Sequence, residues 1–374
     1  KAAELAKMGE VLTNNQIGGR RNIVINGSMK CSQRSTSATS ITSTGYHALD
    51  RFALLYTDAG TWTMAQSSTA PTGFANSLKL DCTATKASLA SDSRLFLQTK
   101  IEGQDVQQLK KGTSDAEYVT LSFYVRSNKT GTYQVNIEDN DNTRIIGATY
   151  TIDSADTWER KVIPFIGDTT GAFADDTGDS LAIMWALVAG DDNSTGAVPT
   201  SWEAKVNTDR GAGLNVNLAD NTSNEWLITG VQLEVGNYPS GTPFEHRSFG
   251  EELQLCQRYY YERMGSGAAL AVSGGQYQWA MNGIAYNTTL GIGGLSFPTP
   301  MRATPTLGYS DVAHFIKQTA GRGDNVTAIN LYDGVENATT STAYIQFNSA
   351  TSTAGGAIMT SENSSARLNF DAEL

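Results

Sequence analysis

The chain has little charge, little cysteine and little histidine. Charged residues make up 17% of the 374 positions, against about 25% in an average soluble protein. The cysteines Cys31, Cys82 and Cys256 are odd in number, widely spaced and without a CxxC pair. This pattern favours free thiols in a protein made in the cytoplasm over a zinc site or a disulfide framework.

The sequence also lacks long apolar runs and basic clusters. No stretch approaches the ~20 consecutive apolar residues of a membrane-spanning helix, and the first residues do not resemble a signal peptide. The formal net charge is -11, and the basic pairs are limited to Arg20-Arg21 and Lys110-Lys111. We therefore expect neither membrane insertion nor binding of nucleic acid through its phosphates.

Residues 22–247 have the pattern of a β-sandwich. Short runs rich in β-branched and aromatic residues alternate with clusters of Asn, Asp, Gly and Ser, which favour turns. Because no helical segments separate the runs, a jelly roll is favoured over a parallel sheet. The clearest predicted strands are 118–126, 132–138, 160–165, 180–188 and 226–235.

A helix is predicted for residues 248–263, between two β domains. Ser248 and Glu251 have the spacing of a capping box. The residues predicted to share one helix face, and to pack at a domain or trimer junction, are Leu253, Cys256 and Tyr260.

The two ends of the chain are predicted to differ. Residues 264–374 return to a β pattern with many Gly, Ser and Thr loops, so this distal domain has a thin core and is expected to bury surface against copies of itself. Residues 1–21 form a predicted N-terminal helix and attachment segment, in which Leu5, Met8 and Leu12 have the spacing of one coiled-coil heptad.

Several motifs, taken in order, resemble phage tail-fibre proteins that contain a carbohydrate-binding-module-like jelly roll. The first is Asn-Ile-Val-Ile-Asn-Gly-Ser-Met at 22–29, and the second is Gly-Val-Gln-Leu-Glu-Val-Gly at 230–236. The other matching segments are 242–247, 252–260, 297–306 and 368–374. The similarity covers most of the chain but identifies no binding residues.

The resemblance implies a mainly β, trimeric virion protein in the phage tail, which contacts other tail proteins and attaches to the bacterial surface through a receptor. We expect that receptor to be a glycan, since three weak sites on one trimer reinforce each other. Two alternatives stay open. One is a head fibre or capsid decoration protein, and the other is a polysaccharide-degrading tail protein, which needs two suitably spaced carboxylates.

Two tryptophans are candidate sugar-binding platforms. Trp62 and Trp202 have polar sequence neighbours, which favours exposure of their rings. The tryptophans in or beside strongly apolar strands are predicted to lie in the core instead: Trp158, Trp185 and Trp226.

Further patterns bear on metal binding and catalysis. Asp139 and Asp141 lie in a turn and offer oxygen ligands of the kind Ca²⁺ accepts, although the complete ligand loop of an EF-hand is missing. We expect no other cofactor. Gly178-Asp179-Ser180-Leu181 matches the nucleophile block of GDSL hydrolases, with His314 downstream. Because no strand-helix alternation surrounds this block, the sequence predicts that the protein is not an enzyme.

Overall fold

The chain is mainly β and consists of two compact units, the first ending at Glu252 and the second running from Leu253 to Glu373. The C-terminal residue Leu374 belongs to the first unit. This computed structural model describes residues 20–263, 278–319, 322–332, 338–349, 355–361 and 366–374. The helix predicted at 1–21 therefore lies almost entirely outside the described residues. No described helix is long and apolar enough to cross a membrane.

The predicted strands of the first unit are confirmed to within one residue at each end. Its strands are, in chain order, β1 (Ser37–Ile41), β2 (Gly45–Tyr46), β3 (Ala53–Thr57), β4 (Thr61–Ser67), β5 (Ser77–Ala84), β6 (Arg94–Glu102), β7 (Val119–Ser127), β8 (Gly131–Asp139), β9 (Arg144–Ile152), β10 (Glu159–Phe165), β11 (Asp179–Ala189), β12 (Glu203–Ala204) and β13 (Glu225–Val235). The short helices are α1 (Asp191–Ser194) and the 3₁₀ turns Gly103–Asp105, Gln107–Leu109, Asn207–Asp209 and Leu218–Asp220.

These strands form two antiparallel sheets. One has the order β1-β4-β5-β13-β7-β10, and the other has the order β12-β9-β8-β11-β6-β3-β2. Side chains from both sheets meet in the core, where the Phe123 ring lies edge-on to Tyr150 and Trp185 at centroid distances of 5.2 and 5.7 Å. Trp185 and Trp226 are fully buried, as predicted. Trp158 is only partly buried, so its predicted core position is wrong.

The outer face of the seven-stranded sheet is covered by the segment between β11 and β13. Arg210, from this segment, donates through Nε to Glu138 Oε1 on β8 at 2.7 Å, and its guanidinium lies 5.5 Å from the Phe96 ring centroid. The Met184 side chain on β11 contacts the same guanidinium. Strands β8 and β11 are consequently buried on both faces, which explains the nearly continuous apolar run in β11.

The second unit contains a closed barrel. The strands of the whole second unit are β14 (Tyr260–Arg263), β15 (Gln278–Ala285), β16 (Leu290–Ser296), β17 (Thr306–Tyr309), β18 (Phe315–Thr319), β19 (Arg322–Leu331), β20 (Thr342–Ser349), β21 (Gly355–Ser361) and β22 (Leu368–Asp371), with a 3₁₀ turn at Val312–His314. The barrel has the order β15-β16-β20-β19-β18-β21, and β14-β22-β17 form a separate sheet. Phe315, Phe347 and Phe370 are fully buried in the core of this unit.

The helix predicted for 248–263 is shorter in the structure. Helix α2 spans Phe249–Gln257, and Glu251 N donates to the Ser248 hydroxyl at 3.3 Å, as the capping prediction requires. Tyr260 instead begins β14 and pairs with Asp371 on β22. Its predicted place on one helix face with Leu253 and Cys256 is therefore wrong, because cross-strand pairing favours the extended backbone for this aromatic run.

A buried ion pair fixes the N-terminal segment of the first unit. Arg247 Nη1 lies 3.2 Å from Glu252 Oε1 and donates to Val24 O at 3.0 Å, while Nη2 donates to Asn22 O. The same Glu252 oxygen accepts from Asn26 N at 2.6 Å. Since both charged side chains are about 95% buried, each depends on the other for compensation.

Arg247→Met is expected to destabilise the first unit by about 3–5 kcal/mol, because it leaves the Glu252 carboxylate buried without its cation. Urea unfolding followed by tryptophan fluorescence measures the loss. The double variant Arg247→Met/Glu252→Gln removes both charges and is expected to recover part of the stability. An equal loss in the single and double variants would contradict the ion-pair explanation.

Candidate functional site

A pocket opens at one end of the sandwich, where strands of the two sheets come together. Its apolar wall includes Val119 at the start of β7, Ile137 on β8 and Leu181 on β11. The empty volume is about 290 Å³, including the part open to solvent. The part that a water molecule can enter is about 20 Å³, so the pocket holds about one water molecule, and a ring-shaped ligand would stack at its mouth rather than enter it.

The Lys111 ammonium is the centre of the polar side of the pocket. Its side chain is 3% exposed, and Nζ lies 2.6 Å from Asp139 Oδ2 and 3.1 Å from Asp168 Oδ2. Nζ also donates to the carbonyl oxygens of Thr170 and Gly171, both at 2.7 Å. A buried ammonium with this many oxygen partners is well compensated and fixed in position.

Aromatic rings complete the surroundings of this ammonium. Lys111 Nζ lies 5.3 Å from the Phe173 ring centroid and 5.6 Å from the Trp202 ring centroid, within the range of cation–π attraction. The Trp202 indole N–H donates to Ile166 O at 2.7 Å, while the ring stays partly exposed. The indole is therefore held at the pocket in one orientation, beside an Ile166 side chain that is 49% exposed.

Arg144 links Asp168, on the polar side of the pocket, to the Trp202 backbone. Arg144 donates to Asp168 Oδ2 through Nε at 2.6 Å and to Trp202 O through Nη2 at 3.1 Å. Burial raises the pKa of Asp168, but hydrogen bonds from Arg144, Thr170 N and Lys111 outweigh burial and hold that pKa below its usual value. Asp168 is therefore ionised at neutral pH.

Of the two predicted sugar platforms, one lies at this pocket and one does not. Trp202 lines the pocket. Trp62 is fully buried on β4, and its indole N–H donates to Ala59 O at 2.7 Å. The prediction of an exposed Trp62 ring is wrong, because its polar neighbours on the strand point to the opposite face of the sheet.

The predicted calcium ligands do not form a joint site. Asp139 uses both carboxylate oxygens, accepting at 3.0 Å from Asn142 N and from Asn142 Nδ2, and it also pairs with Lys111. Asp141 instead accepts from Ala174 N at 2.9 Å. Among the described residues, no group of three or more His, Cys, Asp or Glu ligands surrounds these two carboxylates. Because Ca²⁺ takes six to eight oxygens, the arrangement does not fit this ion.

The serine of the GDSL-type motif is also placed by the structure. Ser180 lies on β11 and is fully buried. A nucleophile has to reach the substrate carbonyl, so Ser180 does not provide a hydrolase site in this arrangement.

Sequence reasoning missed an aromatic cluster on the outer face of the six-stranded sheet. The Phe74 ring lies 5.5 Å from Tyr124, 5.0 Å from Phe244 and 5.2 Å from His246, measured between centroids. Gly230 on β13 makes room for it, since a Cβ there would come within 2.8 Å of the Phe74 ring. A glycine inside a strand was the available signal, because it often marks a bulge or a close approach.

No protein-family model matches the sequence, and no curated protein sequence matches it either. Among solved structures, the enzymatically active domain of tailspike protein 4 from bacteriophage CBA120 has a TM-score of 0.30 at 14% identity, and the match covers 57% of this chain and 21% of that chain. A family 11 carbohydrate-binding module from Clostridium thermocellum has a TM-score of 0.27 at 10% identity over 57% and 99% of the two chains. A xylan-binding domain from Paenibacillus barcinonensis has a TM-score of 0.26 at 8% identity over 59% and 99%. At these scores, the similarities carry no conclusion about function.

The pKa of Asp168 gives a pH prediction. A carboxyl whose pKa is lowered by folding contributes stability above its unfolded value of ~3.9, and this contribution is lost as the pH falls through the folded pKa. The unfolding free energy is thus expected to decrease from about pH 5 downwards. Lys111→Met removes one cause of the lowered pKa, so the decrease should be smaller and should end at a higher pH than in the wild type.

Urea unfolding at a series of pH values checks this expectation. Lys110→Met is the matched control, because the Lys110 side chain is 53% exposed and pairs with Glu117 at the surface. This control is expected to leave the stability nearly unchanged, because water screens an exposed ion pair. Identical pH profiles for Lys111→Met and the wild type would show that Lys111 does not hold Asp168 ionised.

Proposed function

We propose that this protein is an attachment subunit of a phage tail, and that its sandwich binds a bacterial surface glycan at the Trp202 pocket. The observation that carries the proposal is a partly exposed indole ring fixed beside a polar, ion-paired group of side chains. The face of an indole packs against the C–H groups of a sugar ring, while nearby polar groups orient the hydroxyls.

The geometry favours binding over catalysis. A glycoside-cleaving site needs one carboxyl that gives a proton and a second that acts as nucleophile or base. At this pocket, Asp139 and Asp168 are both paired with Lys111, and the pKa of Asp168 is lowered, so this carboxyl has no proton to give at neutral pH. We therefore propose that this pocket binds a glycan without cleaving it.

The pocket is pre-organised, which suits weak binding to a repeated glycan. The Trp202 ring is held by Ile166 O, and its backbone oxygen is held by Arg144, so little side-chain freedom is lost when a ligand binds. A single sugar ring that stacks on Trp202 at the mouth of this small pocket makes a weak contact. A trimer, which the motif order of tail-fibre proteins implies, presents three such pockets and gains affinity through multivalency.

Trp202→Ala is expected to weaken binding to purified surface polysaccharide of a susceptible host about tenfold, equivalent to about 1.4 kcal/mol. Isothermal titration or a biosensor with immobilised polysaccharide measures the change. Trp202→Phe keeps an aromatic face and should retain more of the affinity. Trp158→Ala is the matched control, because Trp158 is also a partly exposed tryptophan but does not line the pocket. Equal binding by Trp202→Ala and the wild type would refute the proposed site.

The proposed trimer is tested separately. Size-exclusion chromatography with light scattering at micromolar concentration is expected to give three times the 40.0 kDa chain mass. A monomer would contradict the proposed trimer but not the proposed Trp202 pocket. Unchanged glycan binding by Trp202→Ala would contradict the proposed pocket but not the trimer.

A further inference from the structure

A lysine side chain is buried inside the barrel of the second unit. Lys317 on β18 is fully buried, as is Phe315 two residues earlier. Residues two apart on a strand face the same side of the sheet, and Phe315 belongs to the core of this unit. Lys317 therefore points toward the barrel interior rather than toward solvent.

This ammonium lacks hydrogen-bond partners. In the described part of the chain, neither Lys317 Nζ nor Ser349 Oγ has a partner, although both atoms are buried. An ammonium can only donate hydrogen bonds, so the partners that Lys317 needs are acceptor oxygens, preferably charged ones. Burying such a group without an acceptor is unfavourable, and a bound acceptor would remove that cost.

The strand register brings a small polar group together. Lys317 lies opposite Asp324 on β19, and Val326, on the same face as Asp324, lies opposite Ser349 on β20. With neighbouring strands ~4.8 Å apart and an offset of two residues along β19, the Lys317 and Ser349 backbones are about 12 Å apart. The Lys317 and Ser349 side chains both extend from their strands toward the same end of the barrel interior.

We propose that this end of the barrel binds an oxyanion, a carboxylate or phosphate group of a small ligand, with Lys317 Nζ and Ser349 Oγ as the donors. The ligand class follows from charge complementarity with the buried ammonium. This oxyanion site would lie in the second unit alone, so its test does not depend on the Trp202 pocket.

Asp324 determines how strong such binding can be. Burial lowers the pKa of Lys317, while the charge of Asp324 raises it, and the pKa stays below its usual value. Asp324 is only partly buried, so water screens its charge more than that of Lys317. The carboxylate repels an entering oxyanion, and removing its charge should therefore tighten binding.

The test uses the full chain with glucuronate, glycerol 1-phosphate and, as the neutral control, glucose. Isothermal titration gives the affinity, and thermal unfolding with and without each compound gives an independent measure, because a bound ligand stabilises the folded state. The wild type is expected to bind one or both anions and not glucose. Lys317→Met is expected to lose this binding, and Asp324→Asn is expected to tighten it at least threefold.

Two substitutions separate a loss of binding from a loss of folding or of positive charge. Lys317→Met removes a buried charge and is expected to fold at least as stably as the wild type. Lys86→Met, in the first unit, is the control for a general loss of positive charge and should leave binding unchanged. Binding of glucuronate alone or of glycerol 1-phosphate alone identifies the oxyanion. Absence of binding to both, equal binding of glucose, or anion binding that persists in Lys317→Met would overturn the proposal.

Discussion

A charge that is removed from water has to be matched by an opposite charge or by several hydrogen bonds, and the layout of the first unit follows from that constraint. Lys111 meets it with Asp139, Asp168 and two carbonyl oxygens, and thereby joins the end of β8 to the segment that follows β10. Arg247 meets it with Glu252 and the backbone of the N-terminal segment. The polar groups thus fix positions that apolar packing alone, which is non-directional, would leave less defined.

The same constraint explains how one sheet becomes buried on both faces. Arg210 brings a guanidinium onto β8 and β11 and pairs it with Glu138, while Asn136 Nδ2 donates to Arg210 O at 2.7 Å. The segment after β11 is therefore attached by specific polar contacts rather than lying loosely on the sheet. The proposed glycan pocket lies at the end of the sandwich, beside Trp202, and not on this covered face.

Much of the fold could be predicted because strand patterns are local. The alternation and turn residues of 118–126 and 226–235 lie in the sequence itself, and both strands are observed. The pocket depends on contacts between distant residues. Nothing near Asp139 in the sequence indicates that Lys111 will neutralise it, which is why its turn resembled a calcium site. The predicted exposure of Trp62 was wrong for a related reason, since polar neighbours are normal for a buried residue on a half-buried strand.

The closed barrel of the second unit limits pairing of its strands with other chains. An open sheet ends in strands whose free N–H and C=O groups can pair with another chain, and this is a common route to aggregation. The six barrel strands pair in a ring, so each has neighbours on both sides. The barrel itself therefore presents no open strand edge to another copy of the chain, and the edge strands of this unit are β14 and β17 of the separate sheet. The loops between the barrel strands can then change in sequence with little risk that the barrel pairs with strands of another chain.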